Sequence, residues 1–239
     1  MTHNNQHINK IFTTKRPSKL KAIIFDMDGV LVDSVGGIRK SFVKVFEDLW
    51  ISTEQFKKLN KEKYEGRTLS EQLQMRKKDL GLKQDLDPVS FSREAFKYQL
   101  EMAKNQYVPN PDILKFIQDA KDKKIKIAVA TSSLKDRAIT LLTLVWVYDK
   151  LDALISCEDI VQGKPNPESF LKVAIHIYIK PENCVVVEDA VNGIEAAKAA
   201  WMKVIAKVPS HCKEEGFKQA NMIFQKFSQI SLEDLENLF

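Results

Sequence analysis

Phe25-Asp26-Met27-Asp28-Gly29-Val30-Leu31-Val32-Asp33-Ser34 follows directly from a short apolar run that begins at Ala22. Two carboxylates two residues apart at the mouth of an apolar strand are costly to desolvate unless a cation or a reaction uses them. A calcium loop would need further oxygen ligands and a downstream Glu, where Val30, Leu31 and Val32 stand instead. An ordinary turn is the other reading, and this stretch alone leaves the choice open.

Further β-rich apolar runs occur at Ile125–Ala130, Ala153–Ser156, Cys184–Val187 and Val204–Ala206, separated by helical patterns. Their alternation predicts an α/β fold, a doubly wound parallel sheet with helices on both faces. Residues 36–108 are too many for one crossover and carry helical periodicity, with Phe42, Val45, Phe46 and Leu49 in one stripe and Phe91, Ala95 and Tyr98 in another. They predict an inserted helical domain, closed by the breaker cluster Val108-Pro109-Asn110-Pro111-Asp112 ahead of a helix from Ile113. The core then comprises residues 21–35 and 109–239. Residues 1–20 are polar and lack the apolar middle of a secretory signal, so they read as a disordered arm, with a transit peptide left open because no acidic residue interrupts it.

Ligands of an open parallel sheet bind beyond the carboxyl ends of its strands. The second run ends in Thr131-Ser132-Ser133, which can cap the helix expected from Lys135 or bind phosphate through hydroxyls and free amides. After the third comes Gly163-Lys164-Pro165, where Lys164 is either a solvated charge or a cation held by its neighbours ahead of a helix. The fourth ends in Glu188-Asp189, a second acidic pair whose plain reading is again a helix cap. All four features fall at one end of one sheet, which independent accidents would not arrange. A phosphate and several carboxylates share a pocket only with counter-charge, and oxygen-only ligands select Mg2+, with Lys164 adding the remaining positive charge.

The 239 residues are 44% hydrophobic and 29% charged, enough for a real core, and no apolar stretch reaches the roughly 20 residues of a membrane span. The net charge of +5 divides into +2 for residues 1–35, +4 for 36–108 and −1 for the rest. A mildly basic middle suits an anionic ligand, although on charge alone solvated helix faces explain it better, and no basic run with interleaved aromatics suggests nucleic acid. Cys157, Cys184 and Cys212 are too few and too scattered for a disulfide framework or a zinc site. The expectation is a cytoplasmic, monomeric protein acting on a small phosphorylated metabolite, with no membrane partner.

These four motifs, in order from Lys21 to the C-terminus, resemble those of the haloacid dehalogenase superfamily of phosphohydrolases, in the subgroup of phosphoglycolate phosphatase and β-phosphoglucomutase. The resemblance implies a Rossmann-like core with the insertion as a helical cap that closes over the site. It further implies that Asp26 is the nucleophile forming an aspartyl-phosphate and that Asp28 is the general acid and then the general base. Mg2+ would be held by the carboxylates of Asp26 and Asp189 and the backbone carbonyl of Asp28, with Glu188 a direct or water-mediated ligand. Thr131, Ser132 and Lys164 would bind the phosphoryl oxygens. Arg67 and Ser133 are candidates for substrate contact, Arg67 equally readable as an ordinary surface Arg.

Phosphatase and sugar phosphomutase share this core. The mutase-like relatives carry a His shortly after the Asp-Ser pair, whereas Val35 to Ser41 contains none, and Arg67 stands next to Gly66 rather than deeper in its loop. Hydrolysis is favoured. A non-catalytic binding protein would be marked by loss of Asp26 or Asp28, and both are present.

The chain has 8 Gly, about half of the usual share of roughly 7%. Trp50, Trp146 and Trp201 each stand where a helix is expected to end, a place that favours Gly because the backbone turns left-handed. Either the gene uses a codon that its host reads as Gly, or aromatic residues have come to pack at these joints.

Overall fold

The computed structural model describes residues 19–59, 63–64, 67, 69–83, 85–102, 106–209, 212 and 214–239. The polar arm expected over residues 1–20 lies outside them except for Lys19 and Leu20, and Leu20 is buried against the sheet. Strands β1 (Ala22–Phe25), β2 (Lys126–Ala130), β3 (Ala153–Ile155), β4 (Cys184–Glu188), β5 (Lys203–Lys207) and β6 (Met222–Phe224) form one parallel sheet in the order β3-β2-β1-β4-β5-β6. Five of them coincide with the apolar runs. β6, a three-residue strand at the edge opposite β3, is the one without a matching run.

Period-two alternation divides the sheet between two cores. Ile23, Phe25, Ile127, Val129, Val185 and Val187 pack one face against α5 (Pro111–Asp122), α6 (Lys135–Leu144) and α9 (Leu232–Glu236). Ala22, Ile24, Ala128, Ala130, Cys184 and Val186 pack the other against α7 (Glu168–His176) and α8 (Val191–Ala199). Strand β1 is buried on both faces, as an interior parallel strand must be, and lies between β2 and β4, where the winding direction reverses. Asn110 caps α5, its Oδ1 accepting from the amides of Asp112 and Ile113.

The long segment after β1 forms α1 (Val35–Asp48), α2 (Thr53–Lys58), α3 (Leu69–Leu80) and α4 (Pro88–Met102), which gather around an apolar cluster of their own. The rings of Phe42 and Phe46 each lie 5.1 Å from that of Phe91, centroid to centroid, and Phe56 lies 5.0 Å from Phe46. Leu134 of the sheet domain enters the same cluster and seats this helical unit on the core. Leu49, grouped with this stripe by its spacing, is instead exposed, because α1 has ended before it. No helix among the described residues is long and apolar enough to cross a membrane.

All three tryptophans adopt left-handed backbone, with φ of 55° at Trp50, 60° at Trp146 and 60° at Trp201. Each is the second residue past its helix. Its amide and the next one bond back into the last turn, as in Trp201 N to Lys198 O at 3.0 Å and Met202 N to Ala197 O at 3.0 Å. The following residues Ile51, Val147 and Met202 are buried, while the indoles are 95%, 63% and 86% exposed. Aromatic packing at the joints is therefore not what holds these residues there. Lys124 and Tyr178 occupy the same turn, and Gly81 shows the residue it favours. Replacing each Trp by Gly should raise unfolding stability by about 1 kcal/mol, by relief of the left-handed penalty less the extra freedom of the unfolded chain. The check is a guanidinium midpoint that rises with each change at constant slope.

Candidate active site

The carboxyl ends of β1, β2 and β4 meet the helical unit across a cavity of about 950 Å3. Asp26, Asp28, Thr131, Ser132, Ser133, Glu188 and Asp189 all line it, so the residues singled out at three strand ends are brought together. Lys164 is not among the lining residues, but its ammonium contacts two that are. Its Nζ donates to Asp26 Oδ1 and to Glu188 Oε1, both at 2.5 Å, and lies 5.0 Å from the ring centre of Phe170. At 2% exposure Lys164 is no surface charge, and burial of an ammonium requires such partners.

Asp26 leaves β1 with its amide bonded to Val187 O at 2.9 Å, which ties the motif to β4. Burial pushes its carboxyl up to about 7, with Lys164 pulling downward and Glu188 pushing upward. Lys164 itself is raised above the ordinary lysine range, since Asp26 and Glu188 outweigh its burial. Glu188 is not a simple helix cap: besides Lys164 it accepts from the amides of Asp189 and Ala190, at 2.8 and 2.9 Å. Gly193 makes room for it, because a Cβ there would lie 1.8 Å from Glu188 Oε1. Gly29, at φ +84°, likewise lets the Asp189 carboxylate lie over the loop after β1, with 1.8 Å from a hypothetical Cβ to Oδ2. Lys207 Nζ fastens that loop by donating to Gly29 O at 2.5 Å.

The hydroxyls after β2 do not cap α6, whose cap residue is Leu134 without a side-chain bond. Ser133 Oγ donates instead to Asp28 Oδ2 at 2.8 Å, while Thr131 Oγ1 accepts from the Ser133 amide at 3.1 Å. Asp28 is further held by Ser34 Oγ and by the Arg137 guanidinium, Nη1 to Oδ2 at 2.8 Å and Nη2 to Oδ1 at 2.7 Å. Burial would raise this carboxyl, but Arg137, Ser34 and Ser133 overcome it and hold Asp28 below the usual range. Arg137 was not singled out from sequence. Its signal was a charge in register with the buried face of α6, beside Ala138 and one turn before Leu141.

On the helical side Arg39, Phe56, Tyr64 and Arg76 line the cavity. Arg67 is not among the lining residues, and its Nε donates to Lys63 O at 3.3 Å, whereas Gly66 and Thr68 lie outside the described residues. Among the described residues no three His, Cys, Asp or Glu side chains are grouped to hold a metal unaided. Glu188 is turned onto Lys164. Asp26 and Asp189 both line the cavity, and carboxylate oxygens are a hard donor type suited to a small divalent cation.

A family model for haloacid dehalogenase-like hydrolases matches residues 20–200. The phosphorylated carbohydrates phosphatase of Thermotoga maritima is 28% identical over 78% of this chain and 84% of its own length. Hexitol phosphatase B of Escherichia coli O157:H7 is 26% identical over 92% of this chain and 98% of its own. Among solved structures, a β-phosphoglucomutase from Clostridium difficile superposes with a TM-score of 0.76 at 25% identity, covering 91% of this chain and 96% of its own.

Lys164→Met should destabilise the fold by about 3–5 kcal/mol, because it leaves Asp26 and Glu188 buried without their cation. Urea unfolding at neutral pH measures it. A loss below about 1 kcal/mol, the range of a surface pair, would mean that the ammonium is not enclosed as described.

Proposed function

The chain belongs to the haloacid dehalogenase-like hydrolases, and from that premise we propose that it is a Mg2+-dependent phosphatase of small organic phosphate monoesters, phosphorylated carbohydrates foremost. The observation that carries the reading is the meeting of Asp26, Asp28, Thr131, Ser132 and Lys164 at one end of the sheet, under a helical unit. The substrate class is supported by the names of the two phosphatase relatives.

In this mechanism an oxygen of Asp26 attacks phosphorus while the bond to the leaving oxygen breaks, and Asp28 gives that oxygen its proton. A water then attacks the aspartyl-phosphate, Asp28 takes back a proton, and the bond from phosphorus to Asp26 breaks to release inorganic phosphate. Thr131, Ser132 and Lys164 hold the phosphoryl oxygens while the group passes from the leaving oxygen to Asp26 and then to water. Asp26, Asp189 and the carbonyl of Asp28 would hold Mg2+, with Glu188 reaching it through water at most. The ion supplies positive charge against the crowded carboxylates and the incoming phosphate. The helical unit serves as the cap that excludes bulk water and supplies substrate contacts, with Arg39 and Arg76 facing the cavity where Arg67 does not.

A phosphate-release screen over hexose and hexitol phosphates, phosphoglycolate and nucleotides tests the reading. The expected result is Mg2+-dependent release from sugar phosphates that falls by at least about 10^4-fold in Asp26→Asn, since loss of a covalent nucleophile removes the pathway. Full activity in that variant overturns it, and conversion to an isomeric phosphate without free phosphate would make the protein a mutase.

Proton and cation compete for Asp26, whose carboxyl is raised to about 7 without metal. Below that pH the proton must be displaced, so apparent Mg2+ affinity should rise by up to about tenfold per pH unit and level off above it. Calorimetric titrations between pH 5.5 and 8.5 check the slope and its sign.

A further inference from the structure

The Asp28 carboxylate has every acceptor site occupied. A carboxylate offers about four lone-pair positions. Here Ser34 Oγ and Arg137 Nη2 meet Oδ1, and Ser133 Oγ and Arg137 Nη1 meet Oδ2. Two of these contacts come from one planar fork, so the guanidinium dictates the plane of the carboxylate. The fork is itself prevented from turning. Its Nε donates to Gln99 Oε1 at 3.1 Å, and its carbon lies 5.8 Å from the ring centre of Phe96. Both belong to α4 of the helical unit, whereas Arg137 is rooted in α6 of the core. Gln99 is 1% exposed and turns its amide toward Ser34 O, 3.4 Å away, beside the same carboxylate.

We propose that Arg137 is a positioning residue that fixes the plane of the Asp28 carboxylate for proton transfer, with Ser34 or Ser133 turning its hydroxyl from donor to acceptor to admit the proton, and that Gln99 makes this orientation depend on docking of the helical unit. The inference rests on the phosphatase reading, and its test separates the two. Arg137→Lys keeps the charge and loses the fork, so it distinguishes orientation from charge. With a hexose 6-phosphate, kcat should fall about 100-fold, the lower range of acid–base contributions, with KM within about threefold. With p-nitrophenyl phosphate, whose leaving group needs no proton, the first-turnover burst of nitrophenolate should persist and later turnovers should slow. Gln99→Leu should show the same pattern at about tenfold, and the double variant should be no worse than Arg137→Lys, as contacts in one chain of bonds are not additive. Wild-type kcat in Arg137→Lys overturns the proposal, and so does equal loss of burst and steady rate, the mark of a merely structural role. If wild-type protein hydrolyses neither ester, the phosphatase reading itself fails.

The tryptophans carry a second inference independently. They are the largest apolar side chains of the chain, yet none lies in a core, and all three occupy one left-handed turn that has glycine at Gly81. We infer that positions 50, 146 and 201 are glycine in the protein made by its own cells, through a codon that those cells decode as Gly. Tryptic peptides of natively produced protein should then carry glycine masses at all three positions, and the gene should hold UGA there. Tryptophan masses, or UGG codons, overturn it.

Discussion

A single ammonium group, Nζ of Lys164, joins the parts of this molecule that bear chemistry. It lies between Asp26 at the end of β1 and Glu188 at the end of β4, and it comes from the loop that follows β3. Those strands straddle the point where the sheet changes winding direction, the one place in such a fold where loops part and leave a crevice. Two carboxylates can be buried side by side there only because the lysine is buried with them.

The remaining charges follow from this arrangement. With both Lys164 contacts already made, burial still holds Asp26 near 7, so the cluster stays short of positive charge. The proposed cation and the fixed dipoles around Thr131 and Ser132 would meet that deficit. Asp28, two residues on, belongs to a separate circle of donors formed by Ser34, Ser133 and Arg137. Adjacent acidic residues thus sit in different electrostatic environments, one crowded by another carboxylate and one neutralised by a guanidinium. As described, Asp26 is the more readily protonated and Asp28 the more firmly ionised, so the proposed roles require the cation to lower Asp26 and Asp28 to give up part of its donor circle before it carries a proton.

Much of this was legible in the sequence, for identifiable reasons. Interior parallel strands are apolar on both faces, so β1, β2 and β4 stand out as runs, and the polar residues ending them mark the site at once. Lys164 was legible as a candidate from its place between Gly163 and Pro165, but its burial was not, since it depends on carboxylates 138 and 24 residues away. Arg137 was missed although its register with the buried face of α6 is a local signal, and Gln99 because its role arises only where the helical unit meets the sheet core. Arg67 shows the converse. A local motif nominated it, while side chains from α1 and α3 line the cavity instead. The edge strand β6 was missed, and the exposed Leu49 was misread at a helix end, where periodic signals are weakest.

The central claim is that Asp26 carries the phosphoryl group. Mixing enzyme, Mg2+ and a hydrolysed sugar phosphate, quenching in acid within the first turnovers and mapping peptides by mass tests it directly. The account predicts a phosphate, labile to hydroxylamine, on the peptide containing Asp26 and on no other. Steady turnover with that peptide unmodified, or with the phosphate on a serine, threonine or histidine elsewhere, would contradict it.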